Sequence, residues 1–543
     1  MLPNRSNLTT NLTTRVQNLT HNNLLQPRPV WVLSLAVLCV HALIALSHGG
    51  PVAVPDIPAY LHVAQVLAGL GEPVNTQFHP GMGFLLTPLT LIGVDGSLLH
   101  TAALLFNGVI AAAAIPLTHR LAASLGASRR ICLIACAVCA VFPAFAAGSR
   151  TAWPEPLLAL LVLTITVNLT SETTRGLTAA GCVAALSVAV HPRAIVLCVV
   201  LVALMAVHRH RGTARPLLIG MGVGSAVTIM SLVVTSTWLW PRVSASLTTT
   251  TLDQRLFVGV GQIAAVMGVS CGLAGFAAIA AWQNRNQTTG VAQAMMFNVL
   301  GAIAMAALGG WVLGGGDRPD LVMYGRYVSP FALPLTVIGV CFVAQHLTRH
   351  ALWVWTMLGW VTVTVGSGWM VEQSDRTYRR IMTLSNGWAW TFGSGQARTA
   401  LLLTVGLASL GAALLMYYPR ALQPVVALLI VASSLTTVFN HQKLAEIGDI
   451  SQRQTQLHNA IPQTAACVSF DRDSTKVYLD WLYRLEQPQL SFTVISLDSE
   501  DRPCGKFVLA DDGALAHCRG ATVHKSDPDT GWALWSYPPR GCG

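Results

Sequence analysis

Charge is scarce in this sequence. Asp, Glu, Lys and Arg make up 10% of the 543 residues, against 53% hydrophobic ones and a mean hydropathy of +0.55. An ordinary soluble enzyme carries about 25% charged residues, so that class is excluded. Residues 1 to 27 lack the apolar core and cleavage site of a signal peptide, and the stretch to residue 29 reads as a polar, disordered cytoplasmic tail. Its Asn-x-Thr triplets at Asn7, Asn11 and Asn18 would matter for glycosylation only on the outer side of a eukaryotic membrane. Between 30 and 439 there is no internal repeat, which weighs against a secondary transporter built from two related halves. Ionisable groups are nearly missing from the interior of the apolar runs, where a flippase for lipid-linked saccharides would need them.

What is present is a series of apolar runs of membrane-crossing length, ~20 residues each. They lie at about 30–47, 98–117, 131–147, 154–169, 178–191, 193–207, 216–239, 258–282, 293–314, 328–345, 351–370, 399–416 and 422–438. The expected architecture is an all-α polytopic bundle of about thirteen transmembrane helices over 30–439. With the N-terminus cytoplasmic, the inner segments hold thirteen arginines and one acid, Glu172, while the outer ones before residue 440 hold ten arginines and nine acids. That asymmetry sets the expected orientation, N-terminus in and C-terminus out. It also assigns the net charge of +10 to a face that meets anionic lipid, so no nucleic-acid partner is implied.

After residue 440 the composition becomes soluble in character, with 13 acids and 10 basic residues. The runs ACVSF, QLSFTVISL, KFVLA, ATVHK and WALWSY read as strands, and STKVYLDWLYRL reads as a helix between the first two. Residues 440–543 are therefore expected to form a small α/β extracytoplasmic domain. Four cysteines, Cys467, Cys504, Cys518 and Cys542, fall in it and suggest two disulfides of open pairing. The other eight sit in apolar runs. Cys132, Cys136 and Cys139 share a helical face, but no His or carboxylate lies near, so packing rather than metal binding is expected.

Chemistry is expected at the outer ends of the spans. Asp56 opens the loop DIPAYLHVAQVLAGLGEPVNTQFHPGMG, where residues 57–70 have the spacing of an amphipathic helix lying along the membrane surface. A carboxylate at that helix start is either an N-cap or a base within reach of a hydroxyl proton. Glu155 begins the fourth span between two prolines, where it could orient a sugar or pair with Arg150. Arg326 beside Tyr327, Arg193 after His191-Pro192, and Arg150 are cations able to grip a phosphate, or else interface anchors. His79, in FHPGMG, could join them or mark a tight turn. Trp388 and Trp390 could stack on a saccharide or belong to an interfacial aromatic belt. Asp317 and Asp320 could gather with Asp56 around a divalent cation, Mg or Mn.

Asp56, Tyr60, Ala64, Gly69 and His79-Pro80, followed by Glu155 in SRTAWPEPLLALL and Arg326 in YGRYVSPFALPL, resemble the GT-C superfamily of integral-membrane glycosyltransferases. The resemblance spans roughly 270 positions at the ends of several helices. It implies an inverting enzyme with a polyprenyl-phosphate sugar donor and Asp56 as catalytic base; the chemistry of the residues then offers Arg326, Arg193, Arg150 and His79 for the donor phosphate, and Tyr60, Glu155, Tyr327, Trp388 and Trp390 for the substrates. Some members of the superfamily require a metal and others do not. The composition, poor in Lys and rich in Ala, Val, Leu and Thr, fits a high-GC bacterium. On that ground the likeness extends to actinobacterial arabinosyl- and mannosyltransferases acting on a cell-envelope glycan or glycolipid outside the plasma membrane. A non-catalytic scaffold for the outer domain is the remaining alternative.

Overall fold

The structure is a computed structural model that describes residues 28–47, 50–52, 57–71, 80–208, 211–234, 252–313, 325–345, 397–473, 479–497, 502–528 and 531–538. The chain runs through α1 (Arg28–Leu46), α2 (Ile57–Leu67), α3 (Gly81–Leu91), α4 (Gly96–Ser124), α5 (Arg129–Ala140), α6 (Pro143–Ala146), α7 (Glu155–Thr170), α8 (Thr174–Val190), α9 (Ile195–His208) and α10 (Arg211–Val234). It continues through α11 (Leu252–Val269), α12 (Leu273–Gln283), α13 (Gly290–Leu313), α14 (Ser329–Gln345), α15 (Ala397–Tyr417) and α16 (Leu422–Thr455). Among the described residues five helices are long and apolar enough to cross a membrane, or up to six if one bent pair is a single span. Shorter apolar helices, α7, α8, α9 and α14 among them, account for further expected runs. The run expected at 351–370 lies outside the described residues.

Two expectations are corrected. The apolar run at 258–282 is two helices, α11 and α12, bent by 105°. Gly272 takes φ +81° at the break, and a Cβ there would lie 2.7 Å from the Ala408 carbonyl oxygen. A uniformly apolar run hides such a break, because hydropathy carries no information about backbone handedness. Second, α2 does not lie on a surface with one face open: residues 60–65 are all buried, including His62 and Gln65. It is sandwiched between α3 and a helix of the C-terminal region. The next helix, α3, begins directly after Pro80.

At the inner end of the bundle as the sequence orients it, the exceptional acid Glu172 has a local explanation. Its side chain accepts the backbone N–H of Gly290, capping the exposed amide end of α13.

The helix α16 extends well past its apolar part, Leu422–Val438, so the composition change at 440 falls inside it. Beyond it come β1 (Cys467–Asp471), α17 (Leu479–Glu486), β2 (Ser491–Ile495), β3 (Phe507–Asp511), β4 (Thr522–Asp527) and β5 (Trp532–Ser536), each on a run that the sequence marks. They form one mixed sheet in the order β2-β1-β3-β5-β4. β1 pairs in parallel with β2 and β3, while β5 pairs antiparallel with β3 and β4. On one face Tyr483 of α17 meets Phe470 edge-on at 5.3 Å, with Phe492 beside them. Val508, Ala510 and Trp535 build the core of the other face. Cys467 is bonded to Cys504, and Cys518 is also in a disulfide; Cys542 lies outside the described residues.

Candidate active site

The site forms where three chain breaks at one end of the bundle meet. The first is the irregular stretch 147–154 before α7. Backbone without regular hydrogen bonds is tolerated inside an apolar bundle only when something pairs with it. Asn107 of α4 provides the partner: its buried side-chain amide donates to the carbonyls of Gly148 (3.3 Å), Thr151 (3.0 Å) and Trp153 (3.4 Å). This fixes the run into Glu155, the first residue of α7. The second break is His191-Pro192-Arg193 between α8 and α9, where the backbone N–H of Arg193 donates to His191 Nδ1 at 3.3 Å. Proline cannot continue α8, and the turn aims Arg193 across the bundle. The third is the turn at 325–328, which carries Arg326 and leads into α14.

These breaks bring two guanidiniums onto one carboxylate oxygen. Glu155 Oε1 accepts from Arg193 Nη2 at 2.8 Å and from Arg326 Nε at 2.5 Å, with side chains 3–5% exposed. Arg193 stacks over Tyr327 at 4.4 Å, and Arg326 over Trp153 at 4.7 Å. The aromatic faces help to offset the desolvation of both cations. Moreover, Arg193 Nε and Nη1, Trp153 Nε1 and Glu155 Oε2 are buried without hydrogen-bond partners among the described residues. Buried, unpaired donors on a guanidinium favour an anion with several acceptor oxygens, for which the planar fork has the matching geometry.

The sequence-derived candidates thus divide. Glu155, Arg193, Arg326 and Tyr327 converge. Arg150 is not the partner of Glu155: its Nε donates to His441 Nδ1 at 3.4 Å instead. Ser149 Oγ donates to the Ala146 carbonyl at 2.7 Å and is left to accept from His441 Nε2 at 3.2 Å, which defines the tautomer. Proximity in sequence favoured Arg150, but the chain leads it toward α16. Tyr60 is buried with Val63 and Trp481. Asp56, His79, Trp388 and Trp390 lie outside the described residues, as do Asp317 and Asp320 offered for a cation. Pro80 and Gly81 are described, and they rest on the end of α8: a Cβ on Gly81 would sit 2.7 Å from the Ala189 carbonyl and Val190 Cα. The chain just after His79 therefore adjoins the turn that carries Arg193.

Asn107, Trp153 and His441 are partners that sequence reasoning missed. A lone amide in the apolar run 98–117 was the available signal for Asn107. Where the bundle meets the C-terminal region there is also a cavity of about 380 Å³, lined by Ser97, Thr101, Gln452, Gln456, Asn459 and Glu486 among others. Among the described residues no Lys or Arg lines it, which sets it apart from the arginine cluster.

No protein-family model and no curated protein matches the sequence. Among solved structures, ArnT from Cupriavidus metallidurans bound to undecaprenyl phosphate is similar, with a TM-score of 0.58 and 13% identity over 93% of this chain and 97% of that one. Its apo state is similar over the same shares, with a TM-score of 0.55 and 13% identity. At that identity the likeness speaks for architecture, and the chain has an ArnT-like fold along nearly its whole length.

Proposed function

We propose that this protein is an inverting glycosyltransferase of the plasma membrane that moves a sugar from a polyprenyl-phosphate donor to a cell-envelope glycan or glycolipid. The observation that carries the reading is the buried cluster of Arg193 and Arg326 on Glu155, with its Arg193 donors unpaired among the described residues. An ArnT-like fold, whose solved example holds undecaprenyl phosphate, supports the GT-C resemblance and a lipid-phosphate donor. In the proposed reaction the acceptor hydroxyl oxygen attacks the anomeric carbon, and the bond from that carbon to the phosphate oxygen breaks. The polyprenyl phosphate departs as an anion toward Arg193 and Arg326, and the hydroxyl proton passes to Asp56. A leaving group that is already anionic needs cations more than an acid, which fits the residues of the cluster. Tyr327 and Trp153 hold the two guanidiniums in place through their ring faces. The cavity beside Glu486, which no Lys or Arg lines among the described residues, suits the acceptor better than the donor. Arabinose and mannose are the sugars to try first, with the reaction on the outer face and the N-terminus cytoplasmic.

The test is sugar transfer by purified protein from radiolabelled decaprenyl-phosphoryl arabinose or polyprenyl-phosphoryl mannose to a panel of oligosaccharides. Arg193→Gln should lower kcat/KM by about 10²-fold or more, and Asp56→Asn should abolish turnover while leaving donor binding intact. Wild-type turnover that survives both changes would sink the reading. Absence of transfer from every donor, together with transport of lipid-linked sugar across vesicles, would replace it by a flippase.

A further inference from the structure

The polar residues of α2 have their partners in the C-terminal region rather than in water. His62 Nδ1 donates to Gln65 Oε1 at 3.3 Å, which orients the amide, and Gln65 Nε2 donates to the backbone carbonyl of Leu485 at 2.7 Å across 420 residues of sequence. Both side chains are buried, at 2% and 0% exposure. Leu485 is in the last turn of α17, where carbonyls have no partner within their own helix, so Gln65 completes an end that would otherwise be unpaired in a dry seam. Trp481, one turn earlier on α17, meets the His62 ring edge-on at 5.8 Å and packs against Tyr60 and Val63. The turn after α2 is engaged too, since a Cβ on Gly71 would lie 3.1 Å from the Pro488 carbonyl. On its other side α2 is pressed to α3, where a Cβ on Gly83 would lie 2.5 Å from Val63.

We propose that α17 is a positioning element for α2 and, through it, for the segment carrying Asp56, the residue that directly precedes α2 in sequence. Gln65 and Trp481 are the positioning residues. The C-terminal region then has a task in turnover beyond contact with an acceptor: it holds the first loop helix in register against α3. The catalytic consequence rests on the glycosyltransferase reading; the docking itself does not.

Full-length protein in nanodiscs is compared as wild type, Gln65→Ala, Trp481→Ala and Trp481→Phe, by hydrogen–deuterium exchange and by sugar transfer. Exchange of the amides of 57–67 should rise roughly tenfold or more in both alanine variants, with those of α7 and α13 unchanged. kcat should fall by at least about tenfold, with the donor KM within about twofold, because the donor cations are elsewhere. Trp481→Phe, which keeps an aromatic face, should recover most of both. Unchanged protection of 57–67 in the alanine variants overturns the docking role. Lost protection with unchanged kcat overturns the positioning role. A wild type that transfers no sugar condemns the transferase reading alone, and the exchange result still decides whether α17 fixes α2.

Discussion

Glu155 is the residue on which the proposed site depends most. It is the acceptor shared by two buried guanidiniums, so its removal breaks both ion pairs at once. Breaking a buried pair by deleting one partner costs about 3–5 kcal/mol. Glu155→Gln should therefore lower the apparent Tm of the detergent-solubilised protein by several degrees, and more than Arg193→Gln, which breaks one of the two pairs and leaves the other. Differential scanning fluorimetry of the two variants checks the order, and the reverse ranking would mean that Glu155 is not what holds the cluster together. Legibility at this scale was uneven. Residue type and position at helix ends marked Glu155, Arg193 and Arg326, because a charge kept in an apolar bundle demands a reason. Their mutual pairing could not be read, since it joins positions 38 and 171 residues apart.

Among the elements, the junction of α3 with α8 bears most directly on the proposed site. Gly81 lets the start of α3 rest on the backbone of Ala189 and Val190, immediately before the turn of Arg193. An added methyl would meet main chain rather than a side chain that can swing away, so the two helices must part. Gly81→Ala is expected to cost about 1–3 kcal/mol and to raise the donor KM severalfold while Gly222→Ala, at a position on α10 with nothing within 4 Å, leaves donor KM unchanged. Steady-state kinetics on the pair separates them; equal donor KM values would remove α3 from the site. Helix and strand runs were legible from periodicity and length. The bend between α11 and α12 and the burial of α2 were not, because each depends on which neighbour the element meets rather than on its own pattern.

At the scale of the whole molecule, the bundle and the C-terminal region meet through a carboxyl group that resists ionisation. Glu486 lies at the start of α4, and burial is the main influence raising its pKa above 4.5, with Asp95 adding to the rise while His458 and the Ser97 N–H oppose it. Since the folded form holds this proton more tightly than the unfolded chain, its stabilising contribution is complete below pH 4.5 and is lost as pH rises through the elevated value. Glu486→Gln, which cannot ionise, should flatten that dependence and raise the apparent Tm at neutral pH by on the order of 2 °C. Thermal scans of both proteins from pH 4 to 8 test it, and parallel curves would refute it. By itself the sequence determined the apolar runs, the strands of the small sheet and the collection of charge at helix ends, because hydropathy and periodicity are local and each element must satisfy them alone. Only the tertiary structure decided that Glu155 takes Arg193 and Arg326 rather than Arg150, that Asn107 fixes the approach to α7, and that α17 closes over α2. Those contacts join distant segments, and only packing selects which buried polar group meets which.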